Sequence, residues 1–251
     1  MYFGRMKSVL YQNYYHEIRS TIMWRSFENH ILPLLDSARP NNILEIGVLY
    51  GHNTLKLLDW CSKNDSRLTS IDPIAWTGDI PEHLHAPMNG YIYKRGNDEL
   101  EKPTIKPTGI EEAFSKGLDK YWTCFKQRSL DFLALPDFSG YDFYLIDGDH
   151  NYYTVMKELS YIHRISKSGD ILLFNDVSGV WAKNDLYYDP SLIPTEHMNT
   201  NKQGVLIAIN DFLDQISEKK FWRRINCPYE FKILTRKNDG IGLLKRRPDR
   251  R

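Results

Sequence analysis

The sequence predicts an α/β fold in which a doubly wound, mostly parallel sheet carries helices on both faces. Short apolar runs typical of buried strands alternate with segments of helical periodicity over most of the chain. Three of these runs end in acidic residues, in "SIDP", "LIDGDH" and "LLFNDV". The first apolar run of the chain, "NNILEIG", leads into a turn with two glycines, Gly47 and Gly51, and then into a helix. Folds of this kind bind their ligands beyond the carboxyl ends of the strands.

The composition is typical of one large domain. The chain has 251 residues, of which 41% are hydrophobic, enough to bury a core. Lys and Arg number 33 and Asp and Glu 32, so the charge gives no reason to expect nucleic acid as the main partner. No apolar run approaches the roughly 20 residues that span a bilayer, and the three cysteines lack metal-ligand spacing. We expect a cytoplasmic protein with no membrane partner.

The elements are predicted in order along the chain. Residues 1–40 form an N-terminal helical segment, and residues 41–251 form the domain. Further helices are expected at "NTLKLLDW", with Asn53 or Thr54 as the cap, between Asn151 and Ser166, and near Val205 to Gln215. Two stretches, about residues 74–120 and 178–201, have the Pro-rich, polar character of insertions. The strands are expected at "NNILEIG", "RLTSIDP", "WTCFKQ", "YDFYLID", "DILLFND", "FWRRIN", "FKILT" and "IGLLKR".

The glycine turn differs from a dinucleotide fingerprint. That fingerprint, G-x-G-x-x-G, would need glycine where Leu49 and His52 stand. Its second glycine lets the backbone approach a pyrophosphate, so a ligand without pyrophosphate is favoured. A nicotinamide-dependent oxidoreductase stays open as an alternative, because Asp72 at the end of the second strand could accept the ribose hydroxyls of either kind of nucleoside. Asp72 could instead cap the turn at "IDP".

A second group of polar residues ends the fourth and fifth strands. In a doubly wound sheet the fourth and fifth strands are expected to be neighbours about 4.8 Å apart. Asp147 and the pair Asn175–Asp176 are therefore expected side by side. Two carboxylates that close repel each other unless a proton or a cation lies between them. A hard divalent ion such as Mg²⁺ would satisfy them with oxygen ligands.

Two stretches carry a resemblance to a known family. The pattern E-x-G-x-x-x-G from Glu45 to Gly51 resembles the first motif of class I S-adenosylmethionine-dependent methyltransferases. The run "DFYLIDGDHNYYTVMKELSYIHRISKSGDILLFNDV", with "SIDP" upstream and Trp181 downstream, is similar to the group that contains macrocin O-methyltransferase and the cephalosporin-hydroxylase-like proteins, methyltransferase family 24. The similarity runs from about Asn42 to Asp214. It implies a Rossmann-like, seven-stranded, mostly parallel sheet and S-adenosylmethionine as cofactor, with S-adenosylhomocysteine as product.

The same resemblance implies roles for individual residues. His150, or alternatively Asp149, matches the position of the general base, although His150 could instead cap the helix that starts near Tyr152. Ser129 matches an adenine contact, although it could instead cap a helix starting at Leu130. The metal ligands implied are Asp147, Asn175 and Asp176. The cofactor-binding residues implied are Glu45, Gly47, Gly51, Asp72, Ser129 and Asp147.

The function expected from these observations is Mg²⁺-assisted methyl transfer to a hydroxyl of a small-molecule acceptor, a sugar or a glycosylated metabolite. The two insertions would then form a lid over the acceptor. Asn175 stands where the metal-binding relatives generally have an acid, so a metal-free variant stays open. A non-catalytic interaction protein on a methyltransferase fold is a further alternative, nucleic acid is a weaker candidate for the substrate, and association of the chain with itself is left open.

Overall fold

The computed structural model describes Met23 and residues 26–73, 108–185, 202–220, 223–237 and 239–248. The predicted N-terminal helical segment is described only in part. Most of each predicted insertion, residues 74–107 of the first and residues 186–201 of the second, lies outside the described residues.

The centre of the fold is a seven-stranded sheet. Its strands follow the order β3-β2-β1-β4-β5-β9-β8. Strands β1 to β5 pair with one another in parallel, and β9 runs antiparallel to both β5 and β8. The predicted doubly wound, mostly parallel sheet is therefore confirmed. The bounds are β1 Asn42–Ile46, β2 Arg67–Ile71, β3 Trp122–Phe125, β4 Phe143–Ile146, β5 Ile171–Phe174, β8 Tyr229–Thr235 and β9 Ile241–Arg246, with β6 Glu218–Lys220 and β7 Arg223–Ile225 as a separate two-stranded ribbon.

Helices connect the strands and cover the sheet. A π-helical turn, Phe27–Ile31, leads into the first α-helix, and a 3₁₀ turn, Asp119–Tyr121, precedes β3. The third α-helix begins with a capping box, in which Thr108 and Glu111 each satisfy a backbone N–H of the other. The bounds are α1 Leu32–Ala38, α2 His52–Asn64, α3 Gly109–Ser115, α4 Ser129–Leu133, α5 Tyr152–Ile165 and α6 Val205–Gln215.

The hydrophobic core forms two clusters, one on each face of the sheet. Successive residues of β1 belong to different clusters: Ile43 packs with Leu57 and Leu58 of α2, and Leu44 packs with Leu159 of α5. Because both faces are covered, the parallel strands appear in the sequence as unbroken apolar runs. Cys61, Cys124 and Cys227 are buried free thiols in this core. No helix in the described part of the chain is long and apolar enough to cross a membrane.

One close backbone approach fixes the turn that follows β1. Gly47 donates its N–H to the carbonyl of Ile71 at 2.9 Å and has a φ of 95°. A Cβ atom built on Gly47 would lie 2.1 Å from the carbonyl oxygen of Asp147. Only glycine therefore allows the turn after β1 to lie directly against the end of β4.

Replacing Gly47 by alanine should destabilise the fold. Gly140 supplies a matched control, because its φ is 88° but a Cβ there would meet no atom within 4 Å. We expect Gly140→Ala to lower the free energy of unfolding by about 1 kcal/mol through backbone strain, and Gly47→Ala by at least about 2 kcal/mol more through the added clash. Urea unfolding of the two variants and the wild type measures both values. Equal losses would show that the contact with Asp147 is unimportant.

Candidate active site

The turn after β1 is held by an acidic residue from the next strand. Asp72, directly after β2, accepts the N–H groups of Val48 and Leu49 on Oδ2 at 2.7 and 2.8 Å. Leu49 has a φ of 49°, in the left-handed region where the dinucleotide fingerprint would have glycine. The carboxylate of Asp72 thus lies beside the glycine turn, at the carboxyl edge of the sheet.

Glu45 lies beneath the same turn, inside the protein. Its side chain is 1% exposed and accepts hydrogen bonds from Ser70, Thr54 and Asn53 at 2.7, 2.8 and 3.1 Å. The expectation that Asn53 or Thr54 caps α2 is wrong, because the helix begins at His52 and both side chains turn to Glu45 instead. The carboxylate therefore ties the start of α2 to β1 and β2, and its predicted role in cofactor binding stays a prediction.

The predicted acidic group is assembled at the ends of β4 and β5. Asn175 donates its side-chain amide to Asp147 Oδ1 at 2.9 Å and to Asp176 Oδ2 at 3.2 Å. His150 Nε2 lies 3.2 Å from the same oxygen of Asp176 and 3.5 Å from that of Asp147. Asp176 is 2% exposed and has a φ of 59°, an uncommon conformation for a residue other than glycine. Four polar side chains therefore converge beside the Gly47 turn.

The start of α5 sets where His150 points. Asn151 caps this helix, since its Oδ1 accepts the N–H of Thr154 at 2.8 Å. The alternative in which His150 is the cap is therefore wrong. Asp149 accepts the Thr154 hydroxyl at 2.9 Å, so it bonds to the first turn of the helix. Of the two candidate bases, His150 faces the carboxylates.

The ionisation of this group is coupled. Burial lowers the pKa of His150, but Asp176 and Asp147 outweigh burial and raise that pKa to about 9. Burial also raises the pKa of Asp176, an effect that His150 opposes and Asp147 reinforces. The pKa of His150 and that of Asp176 therefore each depend on the charge of the other side chain. The raised pKa of His150 favours the protonated imidazole, whose Nε2 faces the oxygens of Asp147 and Asp176.

The donor set also fits a divalent cation. Asp147, His150 and Asp176 each present one ligand atom, and these atoms lie within 4.8 Å of one another. Asn175 Oδ1 is buried and has no hydrogen-bond partner among the described residues. A half-turn of this amide would exchange its nitrogen and oxygen and direct a neutral oxygen ligand at the carboxylates.

Ser129 begins α4 at the end of the loop that follows β3. Its hydroxyl donates to Glu158 of α5 at 2.5 Å. The alternative in which Ser129 caps a helix from Leu130 is wrong, because Ser129 is the first residue of the helix and Arg128 holds the cap position. The predicted adenine contact at Ser129 stays a prediction.

Two neighbours of the acidic group, Asp239 and Trp181, have no chemical role assigned to them in the sequence analysis. Asp239, in the turn between β8 and β9, contacts Gly179, where a Cβ would lie 2.1 Å from Asp239 Oδ1, and its charge helps to raise the pKa of Asp176. The ring centroids of Trp181 and His150 lie 6.5 Å apart. Asp239 is 63 residues beyond Asp176 in the sequence, and only the pairing of β9 with β5 brings the two together.

Comparison with known proteins settles the family. A family model described as a methyltransferase domain, that of methyltransferase family 24, matches residues 44–177, more than half of the chain. The chain belongs to this methyltransferase family. The predicted S-adenosylmethionine-dependent methyltransferase is thereby confirmed, and the oxidoreductase alternative is wrong. None of the curated proteins compared with the methyltransferase matches its sequence.

Solved structures agree on the fold. An O-methyltransferase from Bacillus cereus in complex with S-adenosylhomocysteine is 15% identical, with a TM-score of 0.51, and the match covers 97% of the methyltransferase and 91% of that chain. A proposed caffeoyl-CoA O-methyltransferase from Staphylococcus aureus is 13% identical, with a TM-score of 0.50 and coverage of 94% and 97%. These likenesses confirm the Rossmann-like fold of class I methyltransferases.

The buried Glu45 predicts a pH-dependent stability. Burial raises the pKa of its carboxyl from an ordinary 4.5 to about 7, although Ser70 lowers it. The folded protein therefore binds this proton more tightly than the unfolded chain does, and the stability so gained is complete below pH 4.5 and lost as the pH rises through 7. We expect Glu45 to lower the free energy of unfolding by up to about 3 kcal/mol over that range.

Urea unfolding at a series of pH values measures this decline. Glu45→Gln should remove it, because the amide does not titrate, whereas Glu112→Gln, at an outward-facing acid, should keep the wild-type decline. Parallel profiles for wild type and Glu45→Gln would contradict the assignment.

Proposed function

We propose that this methyltransferase moves the methyl group of S-adenosylmethionine to a hydroxyl oxygen of a small molecule, a sugar or a glycosylated metabolite, with the assistance of Mg²⁺. The observation that carries the proposal is the convergence of Asp147, His150 and Asp176 beside the turn that follows β1. A hydroxyl is a poor nucleophile while it keeps its proton, so its methylation calls for a base at the site of transfer.

The cofactor is placed along the carboxyl edge of β1, β2 and β3. The turn from Gly47 to Gly51 lies against its amino-acid part, and Asp72 receives the ribose hydroxyls. Asn53 Oδ1 is a buried acceptor without a partner among the described residues, and it is suited to accept from the ammonium group of the cofactor. Ser129 lies next to the adenine of the cofactor in this placement.

Asp147 and Asp176 would hold the metal, with Asn175 as a neutral third ligand. Bound there, Mg²⁺ would supply positive charge that makes a neighbouring acceptor hydroxyl more acidic. His150 takes the proton of that hydroxyl. Neutralising the two carboxylates removes the effect that raises the pKa of His150, so the imidazole can then accept a proton near neutral pH.

The surroundings of His150 support a sugar-like acceptor. Trp181 offers an aromatic surface next to the base, of the kind that lines sites for sugars and rings. Asp185 Oδ1 accepts the N–H of Tyr152 at 2.8 Å and that of Gly204 at 2.6 Å. This carboxylate ties both flanks of the stretch 186–201 to the start of α5, which supports a lid over the acceptor at this place.

Substitutions of opposite sign test the metal. Asn175→Asp adds a charged ligand and should tighten Mg²⁺ binding, whereas Asp176→Asn removes one and should weaken it by at least about tenfold. Titration calorimetry with Mg²⁺ alone measures both changes, and Asp131→Asn, at an exposed acid of α4, serves as the control. Strong chelator should abolish methyl transfer, and added Mg²⁺ should restore it. Full activity in chelator, with no heat of Mg²⁺ binding, would exclude the metal.

Methyl transfer itself tests the acceptor class and the base. S-adenosylmethionine labelled in the methyl group, supplied with a panel of sugars and glycosylated metabolites, should yield products methylated on oxygen, identified by mass spectrometry. On the best acceptor, His150→Ala should lower kcat by about 10² to 10⁴, while His30→Ala, far from the acids in sequence, should not. Label found only on nitrogen or carbon would contradict O-methylation, and an unchanged kcat in His150→Ala would assign the base elsewhere.

A further inference from the structure

Glu158 is a buried acid that methyl transfer does not use. It lies on α5, it is 0% exposed, and one oxygen, Oε1, accepts the Ser129 hydroxyl at 2.5 Å. The other oxygen, Oε2, is buried and has no hydrogen-bond partner among the described residues. A buried polar atom left unpaired costs about 1–3 kcal/mol, and native proteins rarely keep one without a reason. The interior position of this acid therefore calls for a function.

The pair of Glu158 and Ser129 lies at the cofactor edge of the sheet. Ser129 follows β3, whose last residue, Phe125, accepts the N–H of Asp72 at 3.0 Å. Thr154, one helical turn before Glu158, bonds to Asp149 near the acidic group. Glu158 therefore connects the start of α4, after β3, with α5, the helix that follows Asp149 and His150.

The hydrogen bond fixes which partner Ser129 can take. A serine hydroxyl has one proton and two lone pairs. Ser129 gives its proton to Oε1 of Glu158. Burial raises the pKa of Glu158 to about 8, and we assign the proton of the carboxyl to Oε2, which has no hydrogen-bond partner among the described residues. Ser129 Oγ can then only accept from a further group. A ligand atom that faces Ser129 must then be a donor. The 6-amino group of adenine is a donor and can bond to Ser129 Oγ. The 6-oxo group of hypoxanthine is an acceptor, so it would face the lone pairs of Ser129 Oγ without a proton between them.

We propose that Glu158 is a positioning residue that orients the Ser129 hydroxyl, so that the cofactor site selects a 6-amino purine over a 6-oxo purine. The inference rests on the proposed placement of the cofactor, with its base next to Ser129. Glu158 acts through Ser129 and does not touch the ligand. In Glu158→Gln the side-chain amide can donate to Ser129 in place of accepting, which frees the hydroxyl proton to turn toward a 6-oxo group.

Calorimetry with two nucleosides tests this selection. The dissociation constants of S-adenosylhomocysteine and S-inosylhomocysteine are measured for the wild type, Glu158→Gln and Ser129→Ala, with Glu230→Gln on β8 as the matched control. We expect the wild type and Glu230→Gln to prefer the amino nucleoside by at least about tenfold. In Glu158→Gln and Ser129→Ala the ratio should fall toward one. A general loss of stability would weaken both ligands and leave the ratio unchanged.

The outcomes separate this inference from the proposed function. If the wild type binds neither nucleoside, the proposed cofactor site is wrong. If the wild type binds both equally well, or if Glu158→Gln keeps the wild-type ratio, the cofactor site stands and the role of Glu158 is overturned. Should Glu158→Gln fail to fold, Ser129→Ala decides alone, and an unchanged ratio in that variant overturns the inference.

Discussion

The contact between Gly47 and the carbonyl of Asp147 is the constraint on which the site depends. It brings the turn after β1 and the end of β4 within van der Waals distance, closer than any side chain on Gly47 would allow. The turn that we propose to bind the cofactor and the acid that begins the proposed catalytic group are therefore parts of one surface. Parallel pairing of β4 with β5 then adds Asn175 and Asp176 to the same edge.

The carboxylates at this edge are stabilised in different ways. Burial raises the pKa of Glu45 to about 7, and three side chains donate hydrogen bonds to its carboxyl group, so Glu45 supports the turn. One carboxylate oxygen of Asp72 accepts hydrogen bonds from two backbone amides. Asp147 and Asp176 share the imidazole of His150 and the amide of Asn175. Only this last pair combines close carboxylates with a base, which is why we place the chemistry there.

The sequence was sufficient to predict the fold and the position of the acidic group. Strands that end in Asp147 and in the pair Asn175–Asp176 must bring these residues together once the strand order is known, because parallel strands share one carboxyl edge. The local partners were less predictable. Asn and Thr side chains can cap a helix, but they can equally donate to a buried acid. The sequence therefore predicts a cap at Asn53, whereas the structure shows that Asn53 donates to Glu45. Contacts across long sequence separations, such as that of Ser129 with Glu158, leave no pattern in a single sequence.

A crystal structure with S-adenosylhomocysteine tests the central claim most directly, since it shows where the sulfur lies relative to the two strand ends. The account predicts the amino-acid part against the Gly47 turn, the ribose at Asp72, and the sulfur facing the side of the crevice where Asp147, His150 and Asp176 meet. A nucleoside bound away from the turn, or a sulfur directed away from the three side chains, would contradict it.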